Sequence, residues 1–410
     1  MTQILWVMRE IPIPVNSGDR LYSLGLVRSL AAAGHRITVL AIADPAGPPP
    51  DLNMLPRGVD WRLVPGRPRG RVRSLFSLMP LIAKRFDTPA NRQLLRQELD
   101  HGEIDVVVLD NYSSVWALSK IRARHELVAT IAHDFETQVT LDIYRRYHGN
   151  PLKKLALLLN ALKTREAEKR LTKTAALVVT ITEADARRFD AAGARSVITI
   201  TPGYDGPRTD RDIDETIERR VVLFGSYNWI AKQMNLRAFL AVADSRFYER
   251  GIQLDIVGSL PAALQTELEP ALRATKIWGF VDDPTTIFRS ARLGVVPEMT
   301  GGGFKLKVLD YIFAGLPVSG LSTALAALPA DIRRYMLIAE NMEGLVNTIC
   351  ETIDDIEHLN ILSRGAMAQA TQAFDWLGRG RQISAALDEA LEKQRSVAAR
   401  RDNRRQIDHG

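Results

Sequence analysis

The chain opens on an unbroken apolar run, Ile4-Leu5-Trp6-Val7-Met8, bounded by polar residues and short enough to be a strand buried on both faces. A loop follows over residues 12–19. Then Leu21, Leu24, Val27, Leu30 and Ala31 recur at helical spacing and stop at Gly34, a residue suited to the left-handed turn that ends a helix. Residues 37–42 are apolar again, which completes a strand–helix–strand unit. Further strand candidates lie at 106–109, 128–132 and 177–181, with helical patterns between most of them. A second series begins after residue 206: a strand and glycine turn at 219–225, a helical stretch at 234–242, and a strand and turn at 254–258. Short strands at 276–280, 293–297 and 316–318 complete it. Between the series, Thr201-Pro202-Gly203-Tyr204-Asp205-Gly206-Pro207 breaks both helix and strand, as a domain boundary does. The pattern therefore predicts an α/β protein of two Rossmann-like domains, each with a parallel sheet covered on both faces, facing a cleft.

Length agrees, since 410 residues exceed one ordinary core. Composition, with 46% hydrophobic and 25% charged residues, is that of a globular protein. No stretch approaches the ~20 apolar residues that span a bilayer. The N-terminus lacks the basic start of a signal peptide. The single cysteine, Cys350, allows neither an internal disulfide nor a multi-thiolate metal site, and a reducing cytoplasm fits. The histidines are scattered without metal-ligand spacing, so no metal is expected. No G-x-G-x-x-G follows either first strand, which argues against a nicotinamide or flavin cofactor.

Charge changes the picture locally. The net charge of +6 gathers in runs: Arg62, Arg67, Arg69, Arg71, Arg73, Lys84, Arg85 and Arg92 against Asp87 alone, then residues 145–173, then the arginines of the C-terminal tail. Such runs suit phosphate-bearing substrates or an anionic membrane surface, or are solvated faces. Aromatic residues are not interleaved with them, which disfavours nucleic acid. Residues 145–173 also hold Leu152, Leu155, Leu157, Leu158, Leu159 and Leu162, a composition that can rest on anionic lipid or pack as a core helix with charged flanks.

The most informative segment is 301–317. Gly301, Gly302 and Gly303 precede Phe304, Lys305 and Lys307, and a helical run ends at Gly315-Leu316-Pro317. Glycines let backbone N–H groups approach an anion. A helix starting at 305–307 directs its positive end at a diphosphate, and lysine adds a full charge. Asp310, one turn on, can accept hydrogen bonds from ribose hydroxyls.

The run VVPEMTGGGFKLKVLDYIFAGLPV resembles the donor-site signature of the GT-B glycosyltransferases of the large retaining family, family 4 or group 1-like. Asn16-Ser17-Gly18-Asp19-Arg20, AHDFE at 132–136, VVTITEADARRF with ITPGYD, and VVLFGSYNWIAKQMNLRAFL resemble its other motifs in order, over residues 3–378. The resemblance implies metal-independent transfer of a sugar from a nucleotide-diphosphate donor to a glycan or lipid-linked acceptor, with retention. It places Lys232 on the donor diphosphate, His133 with Asp134 at the transferred sugar, and Gly18 beside the donor phosphates or the acceptor. Ser226 stands where an arginine is common, Gly302 falls where a glutamate is common, and Glu298 is near but out of register. The expected domains are 1–205 for the acceptor, 206–375 for the donor, a helix at 376–394 returning to the first domain, and a disordered basic tail at 395–410. The expected location is the cytoplasm, peripheral at the inner face of the plasma membrane. An inverting transferase or nucleotide-sugar epimerase on the same fold, a non-catalytic binding protein, and a lipid or nucleic-acid binder are the competing readings.

Overall fold

The computed structural model describes residues 1–15, 17–43, 51–66, 77–121, 127–299 and 303–407. Arg67, Arg69, Arg71, Arg73, Asn16, Gly301 and Gly302 lie outside them. Two compact units emerge: Met1–Val15, Asp19–Pro202 and Trp376–Gly410 form the first, and Gly203–Asp375 with Asn16–Gly18 the second.

The first unit is built on a parallel sheet of seven strands: β1 (Gln3–Glu10), β2 (Arg36–Ala43), β3 (Val59–Pro65), β4 (Val106–Asp110), β5 (Leu127–Ala132), β6 (Leu177–Thr180) and β7 (Val197–Thr199). Their order is β3-β2-β1-β4-β5-β6-β7. The second unit holds β8 (Arg220–Phe224), β9 (Gln253–Val257), β10 (Thr275–Gly279), β11 (Leu293–Val296), β12 (Val318–Leu321) and β13 (Leu337–Ala339). Its order is β10-β9-β8-β11-β12-β13, again all parallel. Central strands are the continuous apolar runs of the sequence because helices cover both faces: β4, β5 and β11 are buried at every position.

Differences from the sequence pattern fall at sheet edges and ends. β3, β7 and β13 are additional, and β3 is an edge strand whose alternate residues meet solvent. The strand placed at 316–318 begins at Val318, because Leu316 and Pro317 belong to the turn into it. The helix Trp376–Ile407 runs through the segment from 395 on, where the charge pattern predicts an unstructured tail. An arginine-rich sequence has good helix propensity, and the helix propagates from a start already fixed by packing. That start is Trp376, whose ring occupies the space beside Gly25: a Cβ there would sit 2.3 Å from it.

Candidate functional site

In both sheets the order reverses once, between β1 and β4 and between β8 and β11. Loops leaving the carboxyl ends of strands diverge at such a point and leave room for a ligand. Candidate residues lie at both.

In the second unit, Gly225 leaves β8 at φ +148° and Gly258 leaves β9 at φ +125°. A Cβ on Gly258 would stand 1.9 Å from the Gly225 carbonyl oxygen, so only glycine lets the two turns touch. Beyond β11, Glu298 is buried, and Lys307 Nζ lies 2.5 Å from its Oε1. Burial works to raise the Glu298 carboxyl, but Lys307, Lys305 and Lys232 together outweigh it and hold the group below the usual carboxylate range. Three lysines thus act on one buried carboxylate. Lys232 comes from the first turn of the helix Ile230–Glu249, which follows β8 directly, while Lys305 and Lys307 come from the loop after β11. The helix after that loop is Lys307–Phe313, so Lys305 stands ahead of it and Lys307 opens it.

Local packing holds these groups in place. Phe304 meets Phe374 edge-on with ring centroids 5.5 Å apart, which ties the loop to the core. Tyr311 accepts a hydrogen bond from the Phe224 N–H at 2.7 Å and donates one to the Val222 carbonyl at 3.1 Å, fixing the short helix to β8. Gly303 turns the loop at φ +71°. Asp310 lies in the first turn of the short helix, and burial alone pushes its carboxyl up to about 7.

In the first unit a pocket lies at the ends of β1 and β4, walled by Glu10, Arg20, Ser23, Asp110, Asn111 and His133. His133 follows β5 and is buried. Its Nε2 lies 2.8 Å from Asp110 Oδ1, and Trp6 Nε1 donates to Asp110 Oδ2 at 2.9 Å. Burial works to raise the Asp110 carboxyl, but the His133 contact, with Trp6 and Ser23, lowers it further than burial lifts it. Arg9 pairs with Asp19, and Arg20 Nη2 is 3.0 Å from Glu10 Oε2, so the pocket is polar and both of its arginines are matched. Asp134 does not line the pocket; after burial, its charge is the next cause that pushes the Glu136 carboxyl well up. Gly18 opens the helix Gly18–Ala32.

The structure thus gathers Lys232, Lys305 and Lys307 and sets His133 in a pocket of the other unit. Sequence reasoning passed over Asp110, the partner of His133. The available signal was an acid ending an apolar strand of a parallel sheet. It also set Glu298 aside, although the lysines converge on that residue. Among the described residues no group of three or more His, Cys, Asp or Glu is placed to hold a metal ion.

Comparison with known proteins divides the chain as the sheets do. A glycosyl transferase 4-like domain matches residues 17–203, and a glycosyl transferases group 1 domain matches residues 218–355. Sucrose-phosphate synthase from Thermosynechococcus elongatus is similar in structure at a TM-score of 0.70 and 16% identity, over 96% of this chain and 100% of that one. HepE from Anabaena, in complex with UDP-glucose, superposes at a TM-score of 0.65 and 16% identity, over 95% of this chain and 100% of that one. The catalytic domain of starch synthase IV from Arabidopsis thaliana, bound to ADP and acarbose, gives 0.66 and 12% over 96% of this chain and 99% of that one. No curated protein matches in sequence.

Proposed function

Because the chain belongs to the 4-like and group 1 glycosyltransferases of GT-B fold, enzymes that draw on a nucleotide-sugar donor, we propose that it moves a sugar from a nucleotide diphosphate to a glycan or lipid-linked acceptor with retention of anomeric configuration, in polysaccharide or glycoconjugate synthesis. The observation that carries this reading is the clustering of Lys232, Lys305 and Lys307 around Glu298 at the switch point of the second sheet.

The chemistry sets a charge problem. When the bond between the anomeric carbon and the diphosphate breaks, its electron pair stays on phosphate oxygen. Positive groups fixed beforehand stabilise that charge without reorganising. Lys232 and Lys305 stabilise the charge on the departing diphosphate, and Lys307 adds to the field from its place on Glu298. Asp310, once ionised, accepts from the ribose hydroxyls. His133 orients the transferred sugar. The departing phosphate oxygen takes the acceptor's proton on the face it leaves, which gives retention without an enzymic nucleophile.

A thermal-shift series with UDP-, GDP- and ADP-sugars identifies the donor, since a ligand that binds the folded state raises its stability by mass action. The NMR coupling of the product's anomeric proton then reads the stereochemistry. Full transferase activity in Lys232→Ala, or an inverted product, would overturn the proposal.

The acceptor side has its own observation. On the helix Pro151–Thr174, Leu152, Leu155, Leu159 and Leu162 form one exposed stripe, while Ala161, Ala167 and Leu171 face the core. Lys153 and Lys154 flank the stripe, over the rings of Tyr147 and Tyr144. Apolar side chains beside lysines suit an anionic lipid surface, where lipid-linked acceptors reside. No described helix is long and apolar enough to cross a membrane, so attachment by this route is peripheral.

A further inference from the structure

The contact between His133 and Asp110 is made by neighbouring parallel strands. Asp110 pairs in register with Ile131, which places it against the loop that carries His133. Trp6 is fully buried, and Asp110 and His133 are 4% and 8% exposed, so water competes weakly for these bonds. An indole N–H only donates, and an ionised carboxylate only accepts. The carboxylate oxygen 2.8 Å from His133 Nε2 therefore requires the ring proton on Nε2. In the neutral imidazole this leaves Nδ1 as a bare acceptor. Among the described residues, the hydrogen-bonding contacts of the ring are both made by Nε2, the second being Ser23 Oγ at the long distance of 3.4 Å. The ring is held edge-on by Tyr22, centroids 5.7 Å apart and planes at 80°, and Tyr22 is itself fixed by donating to the Ile200 carbonyl at 2.7 Å.

The surrounding charge points to the kind of group that Nδ1 meets. Both arginines of the pocket are paired with carboxylates. A neutral, hydroxylated ligand fits such walls better than an anion. We infer that Asp110 is a positioning residue that locks His133 as the Nε2–H tautomer, so that Nδ1 accepts a hydrogen bond from a sugar hydroxyl in this pocket. The inference rests on the transferase reading above, but its first step can be tested without turnover.

Asp110→Asn changes no volume. The donor-only Trp6 N–H draws the amide oxygen to its side, so the amide NH2 faces His133 Nε2. Nε2 must then accept, the ring proton moves to Nδ1, and a donor replaces the acceptor offered to substrate. Ring-nitrogen NMR on histidine-labelled protein at about pH 8 reads the tautomer directly, with His133→Gln assigning the signal. The expected result is Nε2–H in the wild type and Nδ1–H in the variant. The urea midpoint should stay close to the wild type while kcat/KM falls about tenfold to a hundredfold, the scale of one lost hydrogen bond in a buried site. Asp110→Ala, which imposes no tautomer, should lose less activity than Asn despite the hole it leaves. A merely space-filling role gives the reverse order and an unchanged tautomer, and that outcome overturns the inference. An inverted tautomer with undiminished turnover overturns the contact between Nδ1 and substrate. Loss of donor binding in Lys232→Ala depends on neither result, so failure of the transferase reading shows separately.

Discussion

Asp310→Asn tests whether this site holds a carboxylate at a cost to folding. The carboxyl is pushed from 3.8 up to about 7, and burial is the sole cause. Because the folded-state value is raised, the group favours folding fully below about pH 4, progressively less up to about pH 7, and without further change above that. A rise of about three units at about 1.4 kcal/mol each caps the cost of ionising it at about 4 kcal/mol. Asp310 keeps some contact with solvent, which reduces the expected cost to about 2 kcal/mol. Asparagine has the same shape and no charge to bury. The variant should therefore match the wild type at pH 4 and exceed it by about 2 kcal/mol at pH 8, in urea unfolding followed through the transition of the second unit. Donor affinity should move the opposite way, since an amide oxygen accepts less strongly from ribose hydroxyls than a carboxylate does. A variant less stable than the wild type at pH 8, or a difference of equal size at both pH values, would refute the reasoning.

Removing Lys307 leaves Glu298 short of its direct partner in a buried place. Lys307→Met should cost about 3 kcal/mol in urea unfolding, and adding Glu298→Gln should recover most of it while nucleotide titration still shows weakened diphosphate binding; a double variant as unstable as the single one would mean that the pair is not what holds the loop. Gly258→Ala forces a methyl group to 1.9 Å from a carbonyl oxygen at a strained φ, so calorimetry should show the second unit's melting transition lost or lowered by several degrees. Replacing Leu155 and Leu159 with glutamate should abolish co-sedimentation with anionic vesicles and leave solubility intact; binding unchanged by the substitutions or by salt would remove the membrane reading.

Much of the fold was legible because a strand buried on both faces is mostly apolar, as in the runs at the heart of β1, β4, β5, β6, β8 and β11. The strands at the edges were not. β3 turns alternate residues to solvent, and β7 and β13 are three residues each, too short to show a period. Of the candidate site, Lys305 and Lys307 were legible as charges repeated along the chain, and the structure brings both to bear on Glu298. The site was not legible where two single residues meet through sheet pairing. Asp110 carries no motif, and only the register of β4 with β5 reveals what it faces. Glu298 was discounted by position within a family motif, whereas its burial among three lysines is a fact of three dimensions.

The helix Trp376–Ile407 has a consequence for how the molecule is made. It belongs to the first unit but is encoded after the whole stretch Gly203–Asp375 of the second. During synthesis the second unit's main stretch is therefore complete first, while the N-terminal unit waits with a gap beside Gly25 and Ser29 that Trp376 and Gly380 later fill. Cutting the chain short before Trp376 thus wounds the unit that was translated earliest.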